Sequence, residues 1–198
     1  MAVEKSLRDH ARDAIRDEVM KHAWSLFAEQ GFEATTVEQV AASAGMSRRT
    51  FFRYFSGKDE LVLERLVESG HRIADALRAR PADEAAWPAL RAAFQETVEV
   101  QERYADRSRP LQIMLREEPG VRSVVLERRR QWHAALCPLV AERLPSRGRT
   151  RRPDTRADAV TGSALACLEA AQEVWADHPG AQLGQLLDDA MGAVAPLS

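Results

Sequence analysis

Residues 36–55 carry two helix-start signals separated by a glycine, and this arrangement constrains the fold more than any other part of the chain. The segment Thr36–Gln39 has the form of a capping box, in which the threonine hydroxyl and the glutamine side chain satisfy backbone N–H groups at a helix start. Gly45 is suited to the positive φ of a tight turn, and Ser47 supplies a second helix cap just after it. The pattern predicts two short helices joined by a tight turn.

Two helices that meet across such a turn also need a small residue at their contact and apolar residues that hold them together. Ala41 is the small residue and lies four positions before Gly45, so we assign both to the turn. The apolar set follows at suitable offsets: Val40, Ala44, Met46 and Phe51. Together these features predict a helix-turn-helix over about residues 36–55.

The rest of the chain also favours helices, because helix formers dominate and strand-like alternation is absent. We predict an all-α fold of about nine helices: an N-terminal three-helix domain over 8–60 and a helical C-terminal domain over 61–198. The first helix runs from Arg8 to Gln30, and later ones start at Thr36, Ser47 and Ser56, the last reaching Arg80. Further helices are predicted over 83–105, 107–117, 119–144, 154–177 and 180–194, with a solvated loop over 145–153.

Composition places the chain among ordinary globular proteins, with 45% hydrophobic and 29% charged residues. No apolar run reaches the roughly 18 residues of a membrane span, and the charged N-terminus lacks a signal-peptide core. We therefore expect a cytoplasmic protein with no membrane partner. Cys137 and Cys167 are predicted to be buried and reduced, with a disulfide or a redox role as the alternative.

Charge is distributed unevenly although the net charge is only −2. No acidic residue lies between Glu38 and Asp59, whereas three arginines and a lysine do. A basic face on the second helix of a helix-turn-helix is what contact with DNA requires, although surface arginines are often simply solvated. The candidate DNA-binding residues are Thr36, Ser47, Arg48, Arg49, Thr50, Phe52, Arg53, Tyr54 and Lys58.

The stretch from Arg16 to Leu66, including LFAEQGFEATTVEQVAASAGMSRRTFFRYFSGKDEL, resembles the DNA-binding domain of the TetR family of bacterial regulators. The resemblance implies that residues 47–50 begin the recognition helix and read bases. It also implies that Phe52 and Tyr54 meet the DNA backbone and that Lys58 binds a phosphate. Two positions depart from the family pattern: Arg49 replaces the usual Gly or Ala, and Phe52 replaces the common Tyr.

The same resemblance implies that the C-terminal domain binds an effector and forms a homodimer. The expected protein is a repressor that binds a pseudo-palindromic operator as a dimer. A small, largely apolar effector would release it by moving the fourth helix. An activator, or a ligand-independent regulator of the same fold, is the alternative.

Residue patterns in the last two helices favour the dimer, because small residues there permit close helix packing. The candidate interface residues are Gly162, Leu165, Ala166, Leu183, Leu187 and Met191. These stripes would also fit packing within one chain. A ligand pocket is assigned to aromatic and apolar residues with a few polar ones, although each also fits plain core or surface. The set is Trp87, Phe94, Ile113, Met114, Trp132, His133, Cys137, Leu168, Gln172 and Trp175.

An enzyme has little support in this sequence. GxSxG, HExxH, P-loop and paired Cys/His metal patterns are all missing, and the five histidines are scattered. We expect no enzymatic activity, no cofactor and no metal site. A helical protein-interaction module would explain the amphipathic helices but not the basic helix that follows a capped partner helix.

Overall fold

The computed structural model describes residues 7–146 and 154–197, and all their regular structure is helical, which confirms the all-α class. The first four helices are α1 (Leu7–Gln30), α2 (Val37–Ser43), α3 (Arg48–Phe51) and α4 (Lys58–Ala79). The remaining six are α5 (Ala86–Ala93), α6 (Gln95–Arg103), α7 (Ala105–Glu117), α8 (Arg122–Glu142), α9 (Arg156–Asp177) and α10 (Leu183–Val194). A single 3-10 turn, Pro119–Val121, links α7 to α8. Among these helices, none is long and apolar enough to cross a membrane.

Several helix boundaries differ from the prediction, and three of the differences lie near the helix-turn-helix or divide a predicted helix. The helix expected over 83–105 is interrupted at Phe94, which separates α5 from α6. The helix α3 ends at Phe51 rather than Phe55, and turns follow it. Ser56 does not cap α4: its backbone N–H and hydroxyl both donate to the Glu60 carboxylate, at 2.7 and 2.8 Å. Most of the predicted loop over 145–153 lies outside the described residues.

The helices enclose two apolar cores, and α4 contributes to both. Leu61, Val62 and Leu66 pack into an N-terminal core with α1, α2 and α3. About two and three turns after Leu66, Ile73 and Leu77 pack into the C-terminal core. The change of core therefore falls inside α4, between Leu66 and Ile73.

The N-terminal core is completed by residues from far along the chain. Met114, Leu115, Val121 and Val124, from α7, α8 and the turn between them, are buried in it. In the same region the Glu118 carboxylate accepts hydrogen bonds from the backbone N–H groups of Phe32 and Glu33, at 3.0 and 2.8 Å. The α7–α8 turn thus stabilises the helix-turn-helix by contacting the loop before α2 and by packing into the N-terminal core.

Helices α4 and α8 approach each other closely where they cross, and we call Leu66, Gly70 and Trp132 the α4–α8 junction. The indole N–H of Trp132 donates to the carbonyl of Leu66 at 2.8 Å in a buried position. A methyl group on Gly70 would come within 2.2 Å of the Trp132 ring, so only glycine allows this approach. At the end of α4, the Arg143 guanidinium donates to the carbonyls of Leu77 and Arg80, at 2.7 and 3.1 Å.

Candidate nucleic-acid interface

The turn between α2 and α3 is held by local hydrogen bonds. Gln39 N–H donates to the Thr36 hydroxyl at 3.2 Å, and Thr36 N–H donates to the Gln39 side chain at 2.8 Å. Ala41 is buried against α3, and Gly45 adopts a φ of 68°, in the left-handed region that favours glycine. The capping box and the glycine turn therefore fix how α3 is presented.

At the start of α3, capping leaves two arginines pointing outward. The Ser47 hydroxyl accepts from Thr50 N–H at 3.1 Å and lies 2.9 Å from the Thr50 hydroxyl. Arg48 is exposed and pairs with Glu38 of α2 at 2.9 Å. Arg49 is exposed, and its side chain makes no hydrogen bond or ion pair with another described residue. An exposed ion pair contributes little energy, so Arg48 can exchange Glu38 for another anion.

The aromatic residues of this region divide between inside and outside. Phe51 and Phe55 are buried in the N-terminal core with their ring centroids 5.3 Å apart. Phe52 is 46% exposed, and the Arg48 guanidinium lies 5.5 Å from its ring centroid. Tyr54 is half-buried, with exposed Arg53 lying 5.5 Å from its ring centroid. We call exposed Arg48, Arg49, Phe52 and Arg53 the recognition face.

The Lys58 ammonium group is directed to backbone carbonyls of the same chain. It donates to the carbonyl of Phe32 at 2.6 Å and lies within 3.4 Å of the Glu33 and Thr35 carbonyls. It also sits 4.1 Å from the Phe32 ring centroid. These contacts use the ammonium to hold the loop before α2. A phosphate contact at Lys58 would therefore involve the backbone N–H at the start of α4, where the helix dipole favours an anion.

Two open clefts flank the recognition face. One, of about 530 Å³, lies between the starts of α2 and α4 and is lined by Thr36, Phe52 and Lys58 among others. The other, of about 350 Å³, lies on the opposite side and is lined by Arg8, Arg12, Arg53 and Tyr54 with two apolar residues. Arg8 and Arg12 were absent from the predicted set. Their spacing of four along α1 indicates a shared helix face, but only the fold brings that face beside Arg53.

Arg16 is a positioning residue that sequence reasoning missed. Its guanidinium donates to the carbonyl of Tyr54 and pairs with Glu60 and Glu64 of α4, at 2.8 and 2.7 Å. The hydrogen bond to Glu64 is the main reason that the pKa of Arg16 is raised. Burial raises the pKa of Glu60, but hydrogen bonds from Ser56 and Arg16 outweigh it, so that pKa is lowered overall. This network ties α1 and α4 to the end of the helix-turn-helix.

The residues predicted to line a pocket are divided between the two cores and the surface. Five are buried in the C-terminal core: Phe94, Trp132, Leu168, Gln172 and Trp175. Met114 belongs instead to the N-terminal core. The other four are partly exposed: Trp87, Ile113, His133 and Cys137. The Gln172 amide donates to Gln101 at 3.2 Å, and the Trp87 indole N–H donates to the Ala195 carbonyl at 3.1 Å.

The predicted dimer residues need a correction. Leu165, Leu183, Leu187 and Met191 are buried in the C-terminal core of a single chain, because their apolar stripes face the other helices. They are therefore unavailable to a partner subunit. Half-buried Gly162 and exposed Ala166 remain at the surface of α9, together with Ala170 and Val174, both exposed.

Comparison with known families covers both halves of the chain. Residues 19–64 match the model of bacterial regulatory proteins of the tetR family, and residues 84–197 match the MftR C-terminal domain. The regulator TcmR of Streptomyces glaucescens is 38% identical over 89 residues, which are 45% of this chain and 39% of TcmR. The repressor AcnR of Corynebacterium diphtheriae is 37% identical over 60 residues, which are 30% of this chain and 32% of AcnR. The chain thus matches about two fifths or less of each relative's length.

Solved structures share the fold at lower identity. FadR of Thermus thermophilus, a TetR-family repressor in complex with lauroyl-CoA, aligns with 90% of this chain and 92% of its own, at 22% identity and a TM-score of 0.62. FadR of Bacillus subtilis, in complex with stearoyl-CoA, aligns with 92% of this chain and 98% of its own, at 15% identity and a TM-score of 0.66. The relatives named here are transcriptional regulators rather than enzymes. Because the matched models cover the helix-turn-helix and the C-terminal helices alike, the chain belongs to the TetR family of transcriptional regulators.

Proposed function

We propose that this regulator is a ligand-responsive repressor that binds a pseudo-palindromic operator as a homodimer. The observation that carries the DNA-binding step is the recognition face, on a helix-turn-helix whose turn is fixed by caps and glycine. In such motifs the start of the second helix enters the major groove. Arg48 and Arg49 are positioned to pair with guanine edges, and the Ser47 and Thr50 hydroxyls to contact bases or phosphates.

The proposal also includes contacts with DNA phosphates on both sides of the major groove. On one side, Thr36, Phe52 and the backbone N–H of Lys58 border the cleft between the starts of α2 and α4. On the other side, Arg53, Tyr54 and the two α1 arginines border the basic cleft. Phosphate contacts of this kind orient a protein on the duplex without reading its sequence.

The homodimer is proposed to form through the outer face of α9. Gly162, Ala166 and Ala170 lie there beside Val174, which is 45% exposed. Small side chains at this spacing let a second helix approach closely, and a two-fold axis makes the surface self-complementary. Two recognition faces would then meet successive major grooves about 34 Å apart.

The effector is proposed to be small and largely apolar, because the C-terminal core is built from aromatic and aliphatic side chains. The two FadR proteins named above are in complex with lauroyl-CoA and stearoyl-CoA, which supports a long-chain acyl-CoA as the first probe. A ligand-independent regulator is the second candidate. The full burial of Phe94, Leu168 and Trp175 favours it, because an effector would have to displace packed side chains. A cytoplasmic location fits a regulator that must reach chromosomal DNA.

The DNA-binding proposal is tested by selecting duplexes from a random library and measuring affinity by fluorescence anisotropy. We expect pseudo-palindromic sequences, with affinity that falls steeply as salt rises because phosphate neutralisation releases counterions. Enrichment of sequences without two-fold symmetry would contradict dimeric operator recognition.

The dimer is tested by light scattering of the double variant Ala166→Glu and Ala170→Glu, with Ala134→Glu on the exposed face of α8 as the control. We expect a monomer for the double variant and a dimer for the control. A double variant that remains dimeric would place the interface elsewhere.

The effector is tested on the protein–operator complex with lauroyl-CoA, using free coenzyme A as the control. Release by the acylated molecule alone supports the repressor model. If a series of acyl-CoA chain lengths causes no release, the ligand-independent candidate is favoured.

A further inference from the structure

Helices α8 and α9 bring a histidine, a cysteine and an aspartate together on the side of the C-terminal domain. His133 and Cys137 lie one turn apart on α8, and Asp158 lies in the first turn of α9. One ligand atom from each residue lies within 4.8 Å of the other two. The Asp158 carboxylate is 3.9 Å from His133 Nε2 and 3.8 Å from the Cys137 sulfur.

This donor set suits a borderline transition-metal ion. Imidazole nitrogen, thiolate sulfur and carboxylate oxygen are the common zinc ligands, with bond lengths of about 2.0–2.3 Å. In a tetrahedral site such bonds hold neighbouring ligand atoms about 3.2–3.7 Å apart. The observed separations exceed this range by a few tenths of an ångström for Asp158, so small side-chain rotations would close them. All three residues are partly or fully exposed, which gives an ion access.

We propose that His133, Cys137 and Asp158 form a binding site for a divalent transition-metal ion, with Zn²⁺ the best match. Three protein ligands leave one tetrahedral position for water or a small exogenous ligand. The ion would join the middle of α8 to the start of α9.

Thr161 provides a second observation at the same place. It lies one turn beyond Asp158 on α9 and is fully buried, yet its hydroxyl has no hydrogen-bond partner of ordinary geometry among the described residues. Its hydroxyl lies beside the Cys137 thiol. A metal ion displaces the thiol proton, and the resulting thiolate would accept the Thr161 hydroxyl.

The sequence did not reveal this site because His133 and Cys137 alone, at a spacing of four, are a weak signal. Asp158 follows only after the link between the two helices, so the set forms through tertiary packing. The other cysteine provides a matched control: Cys167 is buried on α9, and its thiol points to the Ala190 carbonyl at 3.4 Å.

The site is tested on the full-length protein, reduced with a phosphine, by titration with Co²⁺ as a spectroscopic substitute for Zn²⁺. We expect one Co²⁺ per chain, tetrahedral d–d bands and a thiolate-to-cobalt charge-transfer band, all removed by added Zn²⁺. Cys137→Ser should abolish the charge-transfer band, whereas Cys167→Ser should retain it. His133→Gln and Asp158→Asn should each weaken Zn²⁺ binding by about tenfold or more, since even outer-shell changes cost about 10–100-fold.

Three outcomes would overturn the proposal: no cobalt spectrum, a band that survives Cys137→Ser, or unchanged Zn²⁺ affinity in both His133→Gln and Asp158→Asn. Circular dichroism of each variant shows whether it is folded; His133 is half-buried and Asp158 exposed, and neither belongs to the two apolar cores. The measurements use no DNA, so their failure would leave the proposed repressor function unaffected.

Discussion

The recognition face and the α4–α8 junction are built in opposite ways. The recognition face is exposed, and its bonds are short-range: Ser47 with Thr50, Arg48 with Glu38, Arg53 with Tyr54. The junction is buried and non-local, with the Trp132 indole packed on Gly70 and hydrogen-bonded to Leu66. The weak local contacts of an exposed surface can be replaced by contacts with DNA. The buried contacts of the junction, in contrast, cannot change unless a helix moves. Changes in the first region should therefore alter binding, and changes in the second should alter stability.

The largest expected effect is on DNA affinity, from the double variant Arg48→Ala and Arg49→Ala. Each bidentate arginine contact with a base contributes about 1–3 kcal/mol, so specific binding should weaken by about 2–6 kcal/mol. The melting temperature should stay within a degree or two, because both side chains are exposed. Fluorescence anisotropy titrations measure the DNA affinity, and calorimetry measures the melting temperature.

The matched control for that variant is Arg103→Ala with Arg107→Ala, which removes the same charge from exposed positions on α6 and α7. If the control loses as much specific affinity as the Arg48 and Arg49 variant, general electrostatics rather than the recognition face carries binding.

The second expected effect is a loss of stability in Gly70→Ala, which tests the packing of the α4–α8 junction. The added methyl group meets the Trp132 ring at 2.2 Å, so α4 and α8 must separate, and overpacking of this kind costs about 1–3 kcal/mol. Urea unfolding measures the loss. Gly192→Ala on α10 is the control, because its methyl group meets nothing within 4 Å and alanine favours helices. Equal stability of the two variants would mean that the junction is looser than described.

The third effect concerns the contact between the α7–α8 turn and the helix-turn-helix. Glu118→Ala removes the acceptor for two backbone N–H groups, and we expect a loss of about 1–2 kcal/mol in the free energy of unfolding. Glu142→Ala, at an exposed site on α8, is the control. Hydrogen exchange should rise at Phe32 and Glu33 in the first variant alone. Unchanged exchange there would show that the carboxylate does not hold this loop.

The smallest effect is a pH dependence at Glu60. Its pKa is lowered in the folded chain, so its charged form stabilises the fold above the unfolded pKa of about 4.3. This contribution disappears as the pH falls through the folded pKa. Glu60→Gln should therefore be less stable than the wild type near pH 7, by about 1 kcal/mol, with the gap closing below about pH 4. Glu142→Gln should show no such gap, and a gap that persists in acid would exclude an ionic origin.

Sequence reasoning recovered what depends on neighbours along the chain. The capping box at Thr36, the turn at Gly45 and the cap at Ser47 each involve residues within five positions, and all take the expected geometry. The exposure of Arg48 and Arg49 follows from their place at the start of a short helix. Local chemistry of this kind can be predicted from residue types and spacing.

Contacts between residues that are far apart along the chain could not be predicted from the sequence. Arg16 meets Glu60 and Glu64, and Lys58 turns inward to Phe32, contacts that no local pattern indicates. The apolar stripes of α9 and α10 were predicted correctly as stripes. Which surface they cover could not be predicted, because packing against the same chain and packing against a partner have the same periodicity.

The position of Gly70 along α4 determines how far the start of this helix would move if the helix tilted around its contact with α8. At 1.5 Å per residue, Gly70 lies about 18 Å from Lys58, the first residue of α4. Arg143 contacts the far end of the helix, and Arg16 contacts its first two turns. If α4 tilts as a rigid helix by about 5° around Gly70, Lys58 moves by about 1.5 Å. That displacement is about half the length of a hydrogen bond, enough to break a phosphate contact at this position if the proposed DNA complex forms one.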